Sequence, residues 1–397
     1  MLKKLKYLLF FLLLLNQTLI SQETPKAYIY LLTCGPGTET YSVYGHSALR
    51  VVIQEKNSDL VYNWGVFDFA TPNFAWKFAK GRLDYSLGIS TYDNFLKDYF
   101  SEGRWVVSQK LNLETTEIEK LFFLIAENLK PENLNYRYDF FYDDCSTRIR
   151  DIIEKAVGEN LIYPPPESGR DQPTFRYLTG EYEKTVPWTK VGIDLIMGSP
   201  GDKKASFRDK MFLPVELKNG LSELLIRRNG KMIPLLTNPE VVIDFEQPTY
   251  QGKLLTSPVV VFSVLLIILI ILTGYFRGKR ANNVIDIATF GLFSILALLM
   301  IFFNFFTDHQ QMKWNLNIIW LNPFIILCFI SLLLKKDHYI WFRLVFFLAA
   351  GFLAFLVFLP QHINNAFVPL IFILILRSSV RANFSWNPLS LPHLTEL

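Results

Sequence analysis

A thiol and an imidazole are the groups of this chain whose type and placement suit covalent chemistry. Cys145 stands in Phe140-Phe141-Tyr142-Asp143-Asp144-Cys145-Ser146-Thr147-Arg148-Ile149-Arg150, preceded by two carboxylates and followed by a Ser-Thr pair. Ile149, Ile152, Ile153 and Ala156 then recur at helical spacing, which puts Cys145 at or beside a helix N-terminus. Unpaired amides and the dipole there favour an anion, so the thiolate is expected to form more easily than usual. Far upstream, His46 enters the alternating, strand-like run Tyr44-Gly45-His46-Ser47-Ala48-Leu49-Arg50-Val51. A thiol on a helix start and an imidazole on a strand are the two halves of a thiol nucleophile site, with the imidazole as base. Asn63, in Asn63-Trp64-Gly65 on the next strand, is the candidate for orienting the ring, with Asp68 and Tyr44 as alternatives.

The same cysteines admit another reading. Three are present and Cys328 falls in an apolar segment, which leaves Cys34 and Cys145 as an even pair and a possible disulfide. A disulfide has no need of a thiolate-stabilising position, and that favours the nucleophile. The five histidines are scattered singly, without ligand spacing to another His or Cys, so no metal is expected. No P-loop, dinucleotide fingerprint or Gly-x-Ser-x-Gly elbow occurs, and no cofactor is implied. A net charge of +4 with no basic stripe argues against nucleic acid as a partner.

The elements that must position these residues come from the distribution of apolar side chains. Residues 1–21 read as a signal peptide, with Lys3, Lys4 and Lys6 before the apolar run Tyr7 to Leu15 and Ser21 near the cleavage site. Export places residues 22–164 in an oxidising compartment. There, Ala27–Thr33, His46–Ile53, Leu60–Phe69, Leu83–Ile89 and Trp105–Leu113 read as strands, and the alternating Phe74, Trp76 and Phe78 as strand-like. Thr115–Leu129 has helical period, as does the Cys145 segment to about Val157. The domain is therefore α+β, with a several-stranded antiparallel sheet. Beyond Pro164-Pro165-Pro166, residues 165–256 form an extension and linker, with a hairpin from Leu221 to Leu236 around Asn229-Gly230 and an irregular stretch from Asp194 to Pro214.

Residues 257–380 are expected to form an all-α membrane domain of about five helices, at 258–276, 287–306, 316–334, 342–359 and 363–377, followed by a cytoplasmic tail, 381–397. Arg277, Lys279 and Arg280, then Lys335 and Lys336, then Arg377 and Arg381 mark the cytoplasmic ends. Loops 307–315 and 360–362 share the outer side with the exported domain. The first is unusually polar, and Asp308 and His309 in it are candidate substrate-binding residues beside Tyr44 and Arg50; His362 on the second loop is a weaker candidate.

The order His, polar residue, then Cys on a helix start resembles circularly permuted papain-like thiol enzymes of the lecithin:retinol acyltransferase type. More closely, Leu31-Leu32-Thr33-Cys34-Gly35-Pro36-Gly37, Tyr44 to Val51, Tyr62-Asn63-Trp64-Gly65-Val66-Phe67-Asp68-Phe69 and Asp143-Asp144-Cys145-Ser146 resemble the Lnb-type proteins of Bacteroidetes in their N-terminal periplasmic domain. Asp308-His309 and Asn315-Leu316-Asn317-Ile318-Ile319-Trp320-Leu321-Asn322-Pro323 resemble the membrane half of the same family. The resemblance implies a lipoprotein N-acyltransferase of the inner membrane, with a phospholipid acyl donor and the lipidated N-terminal cysteine of a lipoprotein as acceptor. The rival expectations are a periplasmic thiol hydrolase (peptidoglycan amidase, peptidase or lipase) and a non-catalytic membrane assembly protein with a Cys34–Cys145 disulfide.

Overall fold

The computed structural model describes residues 26–166, 172–247, 249, 254–276, 280–336 and 338–384. The expected signal peptide and most of the expected cytoplasmic tail lie outside these residues.

An antiparallel seven-stranded sheet forms the centre of the N-terminal half. Its strands are β1 (Ala27–Cys34), β2 (His46–Ile53), β3 (Ser58–Val66), β4 (Asp84–Thr91), β5 (Val106–Lys110), β6 (Asn135–Arg137) and β10 (Glu240–Ile243), in the order β10-β5-β1-β2-β3-β4-β6. Alternation along the strands gives the sheet two apolar faces. Leu49, Val51 and Trp64 face helices α3 (Thr115–Leu129), α4 (Cys145–Val157) and α7 (Pro214–Glu223). Leu32, Ala48 and Val61 face α2 (Tyr92–Ser101) through Phe95. Both faces are covered, and α4 is held through Ile149, Ile152, Ile153 and Ala156, the stripe its sequence period marks.

The segment 165–256 is woven into this unit. It contributes the edge strand β10, the helices α5 (Phe175–Glu183) and α6 (Pro187–Ile196), and the hairpin β8 (Leu225–Arg228) and β9 (Lys231–Pro234), which pairs with β7 (Leu161–Ile162). Asn229 and Gly230 both take positive φ, 47° and 78°, as a tight two-residue hairpin turn requires. The residues from Leu221 to Glu223 end α7 instead of starting the hairpin. Phe74, Trp76 and Phe78 are not a strand: they lie in a short helix, α1 (Phe74–Ala79), where period-two aromatics spread around the axis and leave Trp76 and Phe78 exposed.

The C-terminal half is helical: α8 (Pro258–Tyr275), α9 (Arg280–Phe305), α10 (Phe324–Leu333), α11 (Tyr339–Ala354) and α12 (Phe367–Arg381). By length and apolar character α8 and α9 suffice to cross a bilayer. The expected third segment is only half helix, because Leu316–Ile318 forms a single 3₁₀ turn and Pro323 starts α10. Asn315, Asn317 and Asn322 in that entrance are buried and hydrogen-bonded, which meets the cost of polar groups there. Arg377 is no solvated flank: it is completely buried on Asp286, which also binds Arg381 at 2.5 Å.

Candidate active site

Asp144 is the N-cap of α4. Its carboxylate accepts from the Thr147 amide at 2.8 Å, while the Thr147 hydroxyl accepts from the Asp144 amide at 2.7 Å. This reciprocal box fixes Cys145 as the first residue of the helix, buried at the rim of the sheet. The β2–β3 ladder begins only at Leu49↔Tyr62, so the start of β2 is not bonded to β3 there. The helix start occupies that opening. The backbone amides of Ser47, Ser146 and Cys145 lie near the Cys145 sulfur and favour its ionised form, and the Ser146 hydroxyl lies 3.8 Å from it. Ser47 Oγ meets Ser146 Oγ at 3.3 Å, tying the strand to the helix.

His46 immediately precedes Ser47. Its Nε2 lies 3.3 Å from Asn63 Oδ1. An amide oxygen accepts only, so this contact selects the tautomer with Nε2–H and leaves the Nδ1 lone pair as the base. Asn63 is therefore the group that orients the ring. The alternatives are engaged elsewhere, Asp68 with the Ala70 amide at 2.8 Å and Tyr44 with Glu183 at 2.7 Å.

The electrostatics correct one expectation. Burial pushes the Cys145 thiol up, outweighing the amides around it, so the resting group is a thiol and not a preformed thiolate. Burial also pushes His46 down to about 4, with the Arg104 guanidinium adding to the effect and Asn63 opposing it. Both groups thus rest uncharged at neutral pH. Cys34 faces His46 across β1–β2 but is a buried free thiol, pushed up to about 12 by burial. The Cys34–Cys145 disulfide is not formed: both cysteines are free.

The four candidate substrate contacts have protein partners. The Tyr44 hydroxyl donates to Glu183 and its ring packs on Phe140 at 4.7 Å. Arg50 is bidentate to Asp59, at 2.8 and 2.6 Å, with its guanidinium 3.5 Å from the Tyr92 ring centre. Asp308 binds Arg82 at 2.7 Å and the Lys80 carbonyl through its own amide, and His309 Nε2 bonds the Phe78 carbonyl at 2.9 Å. The Asp308-His309 loop therefore docks on the turn after α1. Two residues on, Gln311 donates to Asp139, whose carboxylate also accepts from the amides of Phe141 and Tyr142 at 3.0 Å in the loop leading to Cys145. His362 contributes its backbone amide to Asp202 at 3.0 Å.

Several participants carried no sequence signal as functional groups. The amide of Ser47 is visible only once the strands splay. Gly65, with φ of 90°, occupies a bulge of β3 against β4, and a Cβ there would lie 3.8 Å from Cys145 Cβ. Arg104 binds the Gly35 carbonyl at 2.8 Å beside His46, a contact across 69 residues of sequence. Among the described residues, no group of three or more metal-ligating side chains is present.

Residues 19–178 match the family model of the Lnb N-terminal periplasmic domain, and residues 250–385 match that of the Lnb transmembrane domain. Among curated proteins and solved structures, none matches the chain. With both family domains matched in order, around a sheet unit and a helical unit that interlock, the chain belongs to the Lnb family: a membrane protein with an N-terminal periplasmic domain and a C-terminal transmembrane domain.

Proposed function

We propose that this protein is an inner-membrane lipoprotein N-acyltransferase, with a permuted papain-like periplasmic domain and a membrane domain that crosses five times. The acyl donor is a phospholipid, and the acceptor is the α-amine of a lipoprotein's lipidated N-terminal cysteine. The observation that carries this reading is the bond from Gln311 of the membrane domain's outer loop to Asp139, in the loop that leads to the nucleophile. A soluble amidase or peptidase has no use for a nucleophile loop anchored to a membrane domain; an enzyme with two membrane-confined substrates does.

The chemistry follows from the neutral pair. His46 Nδ1 takes the Cys145 proton as sulfur attacks the ester carbonyl, and a C–S bond forms. The carbonyl electron pair moves to oxygen, beside the amides at the start of α4. Collapse breaks the ester C–O bond, the imidazolium returns its proton to the lysophospholipid alkoxide, and a thioester remains. The acceptor amine then attacks the thioester, its proton passing through His46 to the departing sulfur. An amide and the free thiol result. Asn63 holds the imidazole in the required tautomer throughout.

The test is mass spectrometry of purified wild type and Cys145→Ala incubated with phospholipid and then with a diacylated lipopeptide bearing a free amine. A hydroxylamine-sensitive adduct on Cys145 that passes to the lipopeptide is the expected result. An adduct lost only to water would make the protein a lipase, and no adduct would overturn the thiol mechanism.

A further inference from the structure

β3 passes Cys145 at Gly65 and ends at Val66, and the chain then turns through Phe67 and Phe69 into α1. Phe69 is 66% exposed, Trp76 56%, Phe78 53% and Val66 43%. The rings of Phe69 and Phe78 belong to a continuous series with the half-buried Phe67 and Phe74: Phe67–Phe69 at 5.0 Å, Phe69–Phe74 at 5.0 Å and Phe74–Phe78 at 6.1 Å, with Trp76 of the same helix 5.5 Å from Phe302 of α9. Lys80 Nζ sits 4.9 Å above the Trp76 ring, the arrangement of an aromatic and a cation at a membrane interface. A contiguous exposed apolar patch of this kind marks a binding surface. One end packs on α9, which is long and apolar enough to cross a bilayer, and the other follows in sequence directly on Gly65, where an added Cβ would lie 3.8 Å from Cys145 Cβ.

We propose that this surface lies in the outer leaflet's interfacial zone and receives the acyl chain of the donor phospholipid, guiding its ester to Cys145. The proposal rests on the acyltransfer reading, and its test separates the two. Full-length Phe69→Asp and Phe78→Asp in lipid nanodiscs are acylated on Cys145 by long-chain phospholipid at least about tenfold more slowly than wild type. Acylation by water-soluble p-nitrophenyl acetate stays within about twofold, since it needs no chain site. Equal losses with both donors, or no loss with either, would overturn the proposal. Wild type acylated by p-nitrophenyl acetate and never by phospholipid would sink the transferase reading, and the chain path with it. Independently of activity, Trp76→Phe lowers the fraction of tryptophan fluorescence quenched by shallow brominated lipid; an unchanged fraction would remove the membrane contact.

A separate observation carries a second inference. The Tyr136 hydroxyl in β6 is buried without a hydrogen-bond partner, and a Cβ on Gly65 would lie 3.9 Å from it and 3.8 Å from Cys145 Cβ. Its ring is clamped by the Arg148 guanidinium at 3.5 Å, and Arg148 is held by Asp143 at 2.5 and 2.9 Å. An unpaired buried hydroxyl is destabilising, so a rigidly aimed one is a donor awaiting an acceptor. The geometry points to Tyr136 as a catalytic residue, whose O–H donates to the oxyanion formed when the Cys145 thiol adds to a carbonyl. No bond to Tyr136 forms or breaks. Tyr136→Phe slows acylation by p-nitrophenyl acetate about 10- to 100-fold. Alkylation of Cys145 by iodoacetamide, which passes through no oxyanion, stays within about twofold, and Tm does not fall. Unchanged acylation, parallel loss of alkylation or a lowered Tm would each overturn the assignment.

Discussion

In the proposed mechanism His46 and Cys145 work as an uncharged pair, and that sets how the site responds to pH. Burial holds the thiol up, so the rate of Cys145 alkylation by iodoacetamide rises steadily with pH above neutrality; a plateau between pH 6 and 8 would instead reveal a stored thiolate. His46 is pushed down to about 4 from an ordinary 6.5. Between those values the unfolded chain binds a proton that the folded chain refuses. Stability is therefore fully present above pH 6.5 and is lost as pH falls toward 4, by at most about 1.4 kcal/mol per unit. Tm measured against pH for wild type and His46→Gln isolates this slope, which the variant lacks. Asn63→Ala frees the tautomer choice, and acylation falls by about 10²-fold while the fold is kept, as matched circular dichroism would verify.

At the scale of elements, the bulge that ends β3 is the tightest constraint. Gly65 holds φ at 90°, where a side chain is strained whatever the space. Gly65→Ala is expected to cost about 1–2 kcal/mol in denaturant unfolding and to slow alkylation of Cys145. The latch between the 307–315 loop and the turn after α1 divides unevenly. Arg82–Asp308 is more than half exposed on both sides, so a double-mutant cycle on this pair gives a weak coupling that added salt screens away. Gln311 is 7% exposed, and its bond to Asp139 stands beside the loop that ends at the Asp144 cap. Gln311→Ala therefore slows acylation more than Asp308→Asn does, a comparison the p-nitrophenyl acetate assay makes directly.

At the scale of the whole molecule, one buried polar system joins the two halves and another braces the helical one. Arg176 binds Asp194 at 3.2 Å, Asp202 at 2.9 Å and the carbonyls of Met197 and Gly198, and Asn364 reaches Asp194 at 2.7 Å from beside α12. This joins α5 and α6 of the sheet unit to the outer end of the helical unit. At the other end, Arg377 and Asp286 are fully buried against each other and fasten α9 to α12. Removing one charge leaves the other uncompensated, so Asp286→Asn destabilises the protein by about 3–5 kcal/mol. Thermal unfolding in nanodiscs reads that loss, and the charge-reversed double variant Asp286→Arg with Arg377→Asp recovers part of it.

Local pattern was enough for the elements that carry the reactive groups. The Asp144-Cys145-Ser146-Thr147 cap, the α4 stripe, the β1 and β2 runs and the Asn229-Gly230 turn are short-range signals, and each appears in the structure within a residue or two. The alternation of Phe74, Trp76 and Phe78 misled, because a solvent-facing aromatic helix has no buried stripe to betray its period. β10, α2 and α5 were illegible for a related reason: their sequences are ambiguous alone and are settled by the sheet edge or face they cover. The polar outer loop was visible as unusual, yet its partners, Phe78, Lys80, Arg82 and Asp139, lie more than a hundred residues away. Sequence by itself determined the local elements that bear the candidate reactive groups. Only the tertiary structure decided how burial sets their charge, which amides surround the sulfur and which polar groups are already occupied, because burial and long-range pairing belong to the packed chain and not to any segment of it.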